Sequence, residues 1–513
     1  MKLTISTNSP ALAHIDANEA ELASLRSVLT FRDRGTEFLI SRHKRNRQWH
    51  NSDPSAWQTA LDKLQKDLYR CLLLEVDGKP YTYAGLASSI VLAMPGTVVS
   101  NDVVYPEPNS IAWAKVPVHE PRYYQDEAKV ALLAAKHGAI ELATGSGKSR
   151  VVMELCHDLG HQAVIMAPTT SIARQLYTDF LRAFGKAKVG LYGDGKKELG
   201  KKFTIGIAAS LTRVEEGTDA WNHFSKSIVC IVDESHTVAA DTLERVCLGV
   251  LRTAPYRFFV SATQTRTDGG EVLLRGIIGQ VVYEKTLEEL VNEGFLAKPT
   301  WLMVKVPSTH HFHSSDALKM TQAHLLHSPL VLKKASLIID FHAKAGRRVL
   351  VLIDEMLQFS KLLPLLTVEA RLAHGGVTAA NKGKLPEAYW KSDPAELVAA
   401  FEAGEFPVLV GTGVIGCGTD IRSPEVVVYL QGGVSAIQIP QALGRGTRRG
   451  FVYPDGHAKT AFQFVDFCPV IQNDNVDDTG NGSDRPWSLP YRHALARAKL
   501  CNNLYPNSLK WIN

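Results

Sequence analysis

Eight consecutive residues, Leu142-Ala-Thr-Gly-Ser-Gly-Lys-Ser149, have the types and spacing to hold a phosphate chain. A glycine-rich turn that opens a helix aims successive backbone N–H groups at an anion, and the helix N-terminus adds partial positive charge. Thr144, Gly145, Ser146 and Gly147 would form the wrapping backbone. Lys148 has the reach for the β- and γ-phosphates, and the hydroxyl of Ser149 can hold Mg²⁺. Leu142 stands where glycine usually begins such a turn, a change that a less tight first turn tolerates. The alternative is a chance Gly/Ser loop with a solvated lysine. The setting argues against it: Gly138-Ala-Ile140 is a short apolar lead, and Arg150-Val-Val-Met-Glu-Leu155 has helical spacing.

A second cluster, Asp233-Glu234-Ser235-His236, follows an apolar run and so sits at the carboxyl end of a buried strand. Asp233 is placed to hold Mg²⁺ and Glu234 to polarise an attacking water. Phosphoryl transfer needs this, because its catalysis is mostly positioning and charge neutralisation. Two carboxylates at a strand end could also be plain caps; a phosphate-binding lysine upstream favours the chemical reading. Ser261-Ala-Thr263 ends the next strand, and its hydroxyls could relay hydrogen bonds from His236 and the carboxylates to a second site. Farther on, Gln441-Ala-Leu-Gly-Arg445-Gly-Thr-Arg448 places two arginines three apart, which predicts one helical face. Arginine suits bidentate phosphate contact and can stabilise transition-state charge. The competing reading is a basic solvated helix, to which Arg449 would add.

These groups need a scaffold that delivers strand ends to one edge. Apolar runs at 163–167, 204–208, 228–233, 258–261 and 281–283, separated by helical spacing, predict a parallel sheet covered on both faces. Functional groups then gather at its carboxyl edge. The pattern pauses at 292–300, a hinge by composition, and resumes with a helix at 328–343 and strands at 348–353, 408–411, 426–430 and 461–465. The expected organisation is an N-terminal α+β accessory domain over 1–115, α/β domains over 116–297 and 298–470, and a mobile loop and C-terminal helix over 471–513. Within the first of these, 22–29 and 57–68 read as helices and 30–40 as a hairpin around Arg34-Gly35. Pro106, Pro108 and Pro117 make a stiff connection. His310, His311 and His313 read as a solvated loop.

The 513 residues carry a net charge of only +5, so any nucleic-acid-binding surface must be local. No apolar run is long enough for a membrane span, and the polar start does not read as a signal peptide. The expected location is the cytoplasm, of a host cell if the chain is phage-encoded. The seven cysteines are scattered without a Cys-x-x-Cys pair, which predicts reduced thiols and no zinc site.

Taken together, the phosphate-binding turn, Asp233–His236, Ser261–Thr263 and Gln441–Arg448 resemble the superfamily 2 helicases over residues 118–467. Within them the chain is most similar to phage branch-migration helicases of the UvsW type and their XPB- and RecG-like relatives. The resemblance implies two RecA-like domains with ATP held between them, and an ATP- and Mg²⁺-dependent motor that unwinds DNA or migrates branches. Duplex translocation, RNA unwinding and a non-catalytic clamp are the alternatives. Arg122 and Gln125 look like the adenine-reading element, and Pro168, Thr169 and Arg174 like the loop that holds the nucleic-acid backbone. Ser210 resembles the next such element. Thr412, Gly418 and Asp420 lie in a run, 411–420, similar to motif V. The expected partner is forked, branched or single-stranded DNA, with no membrane and a single working copy. The basic run at 41–50 offers Arg42, Lys44, Arg45 and Arg47 for phosphates and Trp49 for a base stack, against the alternative of a solvated basic hairpin.

Overall fold

The computed structural model spans residues 1–513 and describes all except 46, 118–119, 239, 265–270, 309–315, 378–381, 384, 417–420, 436–437, 472–488 and 513. The chain forms two compact units, residues 1–142 with 147–284, and residues 143–146 with 285–513. The second unit thus begins before the expected hinge at 292–300. Among the described residues, no helix is long and apolar enough to cross a membrane. The six described cysteines are free, and five are buried.

The first unit is built on an eight-stranded sheet. Its core runs Val189–Gly193, Phe203–Ile207, Ala163–Ala167, Val229–Asp233, Tyr256–Ser261 and His137–Leu142, each parallel to its neighbour. Ala163–Ala167, Val229–Asp233 and Tyr256–Ser261 are buried throughout, as expected of continuous apolar runs covered on both faces. Because the strands are parallel, Leu142, Asp233 and Ser261 arrive at the same edge.

The N-terminal residues are not a separate body. Their five-stranded sheet, in the order Leu74–Val76, Lys79–Tyr83, Ser9–Asp16, Lys2–Ser6 and Val98–Asp102, shares one apolar core with the first parallel sheet. Leu86 and Ile90 belong to the same cluster as Leu243, Val246 and Leu274. Gly85 is needed there, since a Cβ would lie 2.5 Å from the Gly276 carbonyl oxygen. The proline-rich connection is docked along the unit: Asn109 N donates to Leu159 O, Ile111 N to His157 O and Ala114 N to Ala183 O.

The hairpin expected at 30–40 is absent. Only Thr30–Arg32 is a strand, antiparallel to Tyr69–Cys71, and Arg34–Arg45 is a helix. Asp33 decides this, because its carboxylate accepts the Thr36 N–H at 2.6 Å and starts the helix. The run 41–50 therefore lies on the helices Arg34–Arg45 and Arg47–Ser52, not on a hairpin.

The second unit holds a seven-stranded sheet ordered Ala370–Ala373, Val408–Gly411, Val349–Ile353, Val426–Leu430, Ala461–Ile471, Lys298–Ser308 and Leu509–Ile512. All pairings are parallel. The C-terminal helix expected within 471–513 is present and is part of this unit. Leu509–Ile512 forms the edge strand, and helix Leu489–Leu504 buries Arg497 against Asp466 at 2.7 and 2.9 Å. The expected loop at 472–488 and the histidines 310, 311 and 313 lie outside the described residues.

Candidate nucleotide site

At the carboxyl edge of the first sheet, strand His137–Leu142 passes through the turn into helix Lys148–Leu159. Gly145 and Gly147 have φ of 93° and 85°, a left-handed backbone that glycine adopts without the Cβ penalty. Gly147 meets a second constraint, since a Cβ there would lie 2.5 Å from Gln125 Nε2. Gln125 is buried at the start of helix Tyr123–Ala135. Its Oε1 accepts the Arg122 N–H at 2.9 Å, and its Nε2 donates to Gly147 O at 3.4 Å. Arg122 donates to Tyr124 Oη at 2.8 Å. The two residues expected to read adenine thus also fix the turn and its flanking helix.

Lys148 is 8% exposed; its Nζ donates to Leu142 O at 3.4 Å and lies 3.4 Å from Glu234 Oε1. Ser149 follows it, half-buried, in the first turn of the helix. Asp233 ends its strand buried, and its Oδ1 has no hydrogen-bond partner among the described residues. Burial, reinforced by the neighbouring Glu234 carboxylate, pushes the Asp233 carboxyl up to about 7, while Lys148 pulls it back. An acceptor-only oxygen kept out of water without a donor is costly. It is a position suited to a cation.

Glu234 stands in a left-handed backbone, φ 46°, unusual for a side chain with a Cβ. That turn bends the chain at the strand end so that Oε1 faces Lys148 while Oε2 lies 3.6 Å from His236 Nδ1. His236 Nδ1 is hydrogen-bonded to Ser261 Oγ, which also accepts the Thr263 N–H at 3.3 Å. Two residues that the sequence reading passed over complete the group. Ser235 Oγ donates to Gln264 Oε1 at 2.9 Å, and Gln264 N donates to Glu141 Oε1 at 2.7 Å. No spacing signals Gln264; only the fold brings it beside Ser235. Lys148, Glu234, His236 and Ser261 are therefore joined through short contacts, as the sequence order of strands implies.

The other expected residues fall as follows. Thr169 caps helix Thr170–Phe184 by accepting the Ile172 N–H, one residue after Pro168. Arg174 is exposed and holds Asp194 with two hydrogen bonds, 2.6 and 2.9 Å. Ser210 is in the single turn Ala208–Leu211 that follows strand Phe203–Ile207. In the second unit, Thr412 N donates to Ala373 O. Gly418 and Asp420 lie outside the described residues.

Gln441 is on helix Gln438–Gly444, but Arg445 and Arg448 are not on any helix. The helix tightens and stops at Gly444: Arg445 N donates to Ala442 O and Gly446 N to Leu443 O, both one residue short of an α-helical bond. Gly446 packs so closely on Phe462 that a Cβ would lie 2.0 Å from its ring. The expected shared helical face is thus replaced by an irregular loop with Arg445 buried and Arg448 half-buried.

Of the basic run, Arg42, Lys44 and Arg45 are exposed on helix Arg34–Arg45. Nothing is described of the Arg47 side chain. Trp49 packs edge-on against His43, with centroids 4.8 Å apart at 78°.

Residues 118–266 match the family described as type III restriction enzyme, res subunit. The DNA 3'-5' translocase XPB2 of Sulfurisphaera tokodaii is 26% identical over 358 residues, covering 64% of this chain and 79% of that protein. The XPB helicase/translocase subunit of transcription and DNA repair factor IIH from Danio rerio is 25% identical over 235 residues; the match spans 43% of this chain and 30% of that protein. Among solved structures, T4 UvsW aligns over 100% of both chains at 14% identity with a TM-score of 0.43. The DNA-bound type ISP restriction-modification enzyme LlaBIII reaches a TM-score of 0.52 at 13% identity, over 77% of this chain and 31% of that one. Over 64% of its length the chain is thus similar to an XPB-type DNA translocase.

Proposed function

We propose that the protein is an ATP-dependent DNA helicase or translocase whose hydrolytic site is the group Lys148, Ser149, Asp233 and Glu234. The observation that carries this is the joint burial of Lys148 and Asp233 beside the left-handed Glu234 at one sheet edge. The names of the XPB relatives supply DNA as the track.

The residues present fit Mg²⁺. Asp233 Oδ1 is a buried oxygen without a donor, and the Ser149 hydroxyl opens the adjoining helix. Asp233 and Ser149 would hold the ion, and a bound Mg²⁺ would offset charge on the β- and γ-phosphate oxygens. Lys148, released from Glu234, neutralises the same oxygens. Glu234, freed in turn, accepts a hydrogen bond from the attacking water and orients it. The contact from Glu234 through His236 to Ser261 and Thr263 gives this carboxylate a route to the rest of the first unit. Arg445 and Arg448 are the candidate transition-state arginines, and Gln441 accompanies them.

A second reading, movement along duplex DNA without strand separation, is favoured by the word translocase in the relatives' names and by the restriction-enzyme family match. The deciding experiment compares ATPase and strand displacement on fork, four-way junction, duplex, single-stranded DNA and RNA, with triplex displacement as the measure of duplex movement. Junction-stimulated ATPase with strand displacement supports the helicase. Triplex displacement alone supports the translocase, and stimulation by RNA only would overturn both. In either reading we propose that one copy suffices, tested by rate against protein concentration.

A further inference from the structure

Helix Arg34–Arg45 has one pole in the core and one in solvent. At 3.6 residues per turn, Thr36, Ile40 and His43 share a face, and Ile40 and His43 are each 9% exposed. The opposite pole carries Arg34, Phe38, Ser41, Arg42 and Arg45. All three arginines are exposed, and Phe38 is 66% exposed. A phenyl ring this open is unusual on a helix already buried along its other face. The pole has no carboxylate: Glu37, off to one side, is held by Arg32 at 2.9 Å. Phe38 sits one turn from Arg34 and one turn from Arg42, so a guanidinium flanks the ring on each side along the axis.

Trp49, the aromatic residue that sequence alone offers for stacking, is engaged elsewhere. Its ring meets His43, which itself stacks on Trp57 at 4.9 Å and 25°. The tryptophans thus bind the three helices together, and the ring left open on them is Phe38, while the comparably exposed Tyr69 lies on strand Tyr69–Cys71.

A lone ring between cations does not suit a lipid surface, which needs a broad apolar face. It suits a polyanion with flat faces to stack on. We infer that Phe38, flanked by Arg34, Arg42 and Arg45, is a base-stacking contact for an unpaired segment of DNA on the N-terminal part of the first unit. Bases stack on the ring whatever their sequence, while the arginines meet the flanking phosphates. This inference rests on the DNA reading above.

The test uses the full chain and a single-stranded oligonucleotide carrying 2-aminopurine. Phe38→Ala should weaken binding by about tenfold and abolish the 2-aminopurine quench, with the salt slope unchanged. Phe38→Trp should restore both, and Phe38→Leu should not, because an apolar side chain without a ring cannot stack. Replacing Arg34, Arg42 and Arg45 by Ala should instead flatten the salt slope by about two units. An unchanged thermal midpoint for Phe38→Ala excludes misfolding, as expected for so exposed a side chain. Wild-type binding that Phe38→Ala and Phe38→Leu leave intact overturns the inference while the DNA motor stands. So does a Phe38 effect confined to acidic peptides or anionic vesicles. If the wild type shows neither DNA binding nor DNA-stimulated ATPase, the functional reading itself has failed and takes this inference with it.

Discussion

Each parallel sheet buries one aspartate, and the two are opposites. Asp466, in strand Ala461–Ile471, is fully enclosed, with both oxygens matched by Arg497; the same guanidinium also donates to Phe467 O and Gly433 O. Asp233, at the end of Val229–Asp233, has an oxygen, Oδ1, that no hydrogen bond among the described residues satisfies. A buried charge with its full set of partners is a staple, and losing one partner strands the other. A buried carboxyl left short of partners is a cost the fold carries for something else, and the proposed function assigns that role to a cation beside a phosphate chain. The depth of burial is similar; the completeness of the hydrogen bonding separates structure from chemistry.

The largest effects should fall on the first site. Lys148→Ala and Asp233→Asn should each reduce DNA-stimulated ATPase below detection, measured by phosphate release. Unimpaired turnover in either would erase the contrast. Glu234→Gln should cost about two to three orders of magnitude in kcat while nucleotide binding persists, since it keeps the shape and loses the charge that orients water. Arg448→Ala should lower kcat by about 10³ with nucleotide affinity unchanged, and a drop under tenfold would remove its assigned role. The staple should behave the other way. Arg497→Met leaves Asp466 buried alone and should cost about 3–5 kcal/mol of stability by chemical denaturation, with kcat per folded molecule nearly intact.

The smallest effect concerns pH. The Asp233 carboxyl is raised in the folded protein from 3.8 to about 7, so its contribution to stability is present below about 4 and is lost as pH rises through about 7. With metal chelated, the wild type should lose stability across that window. Asp233→Asn should lack that part of the slope and melt no lower than the wild type at pH 7. A steeper slope in the variant would contradict the assignment.

The sequence made the first of these sites legible for a physical reason. A phosphate-binding turn depends on local backbone geometry, so Gly145, Gly147 and Lys148 mark the proposed one within a few residues, and a buried parallel strand writes itself as an apolar run ending at Asp233. The staple was hidden, because Arg497 looks like any solvated arginine until a strand more than 30 positions away meets it. Short-range competition explains the other differences. Three-residue spacing suggested a helix through Arg445 and Arg448, but Gly444 and Gly446 end it first. Arg34-Gly35 suggested a turn, but the Asp33 carboxylate begins a helix there. The N-terminal residues read as a separate domain because composition shifts at the prolines, whereas what joins them to the first sheet is shared core.

The pairing of Lys298–Ser308 has a consequence for synthesis. This strand is flanked by Ala461–Ile471 on one side and by Leu509–Ile512 on the other. The opening strand of the second unit must therefore wait, with both edges open, until more than 150 further residues have emerged for the first neighbour and still more for the second. The first unit has its whole parallel sheet by residue 285 and can settle while the ribosome is still working. The hazard of misassembly thus falls on the later half, where an unpaired eleven-residue strand stands exposed for the longest time.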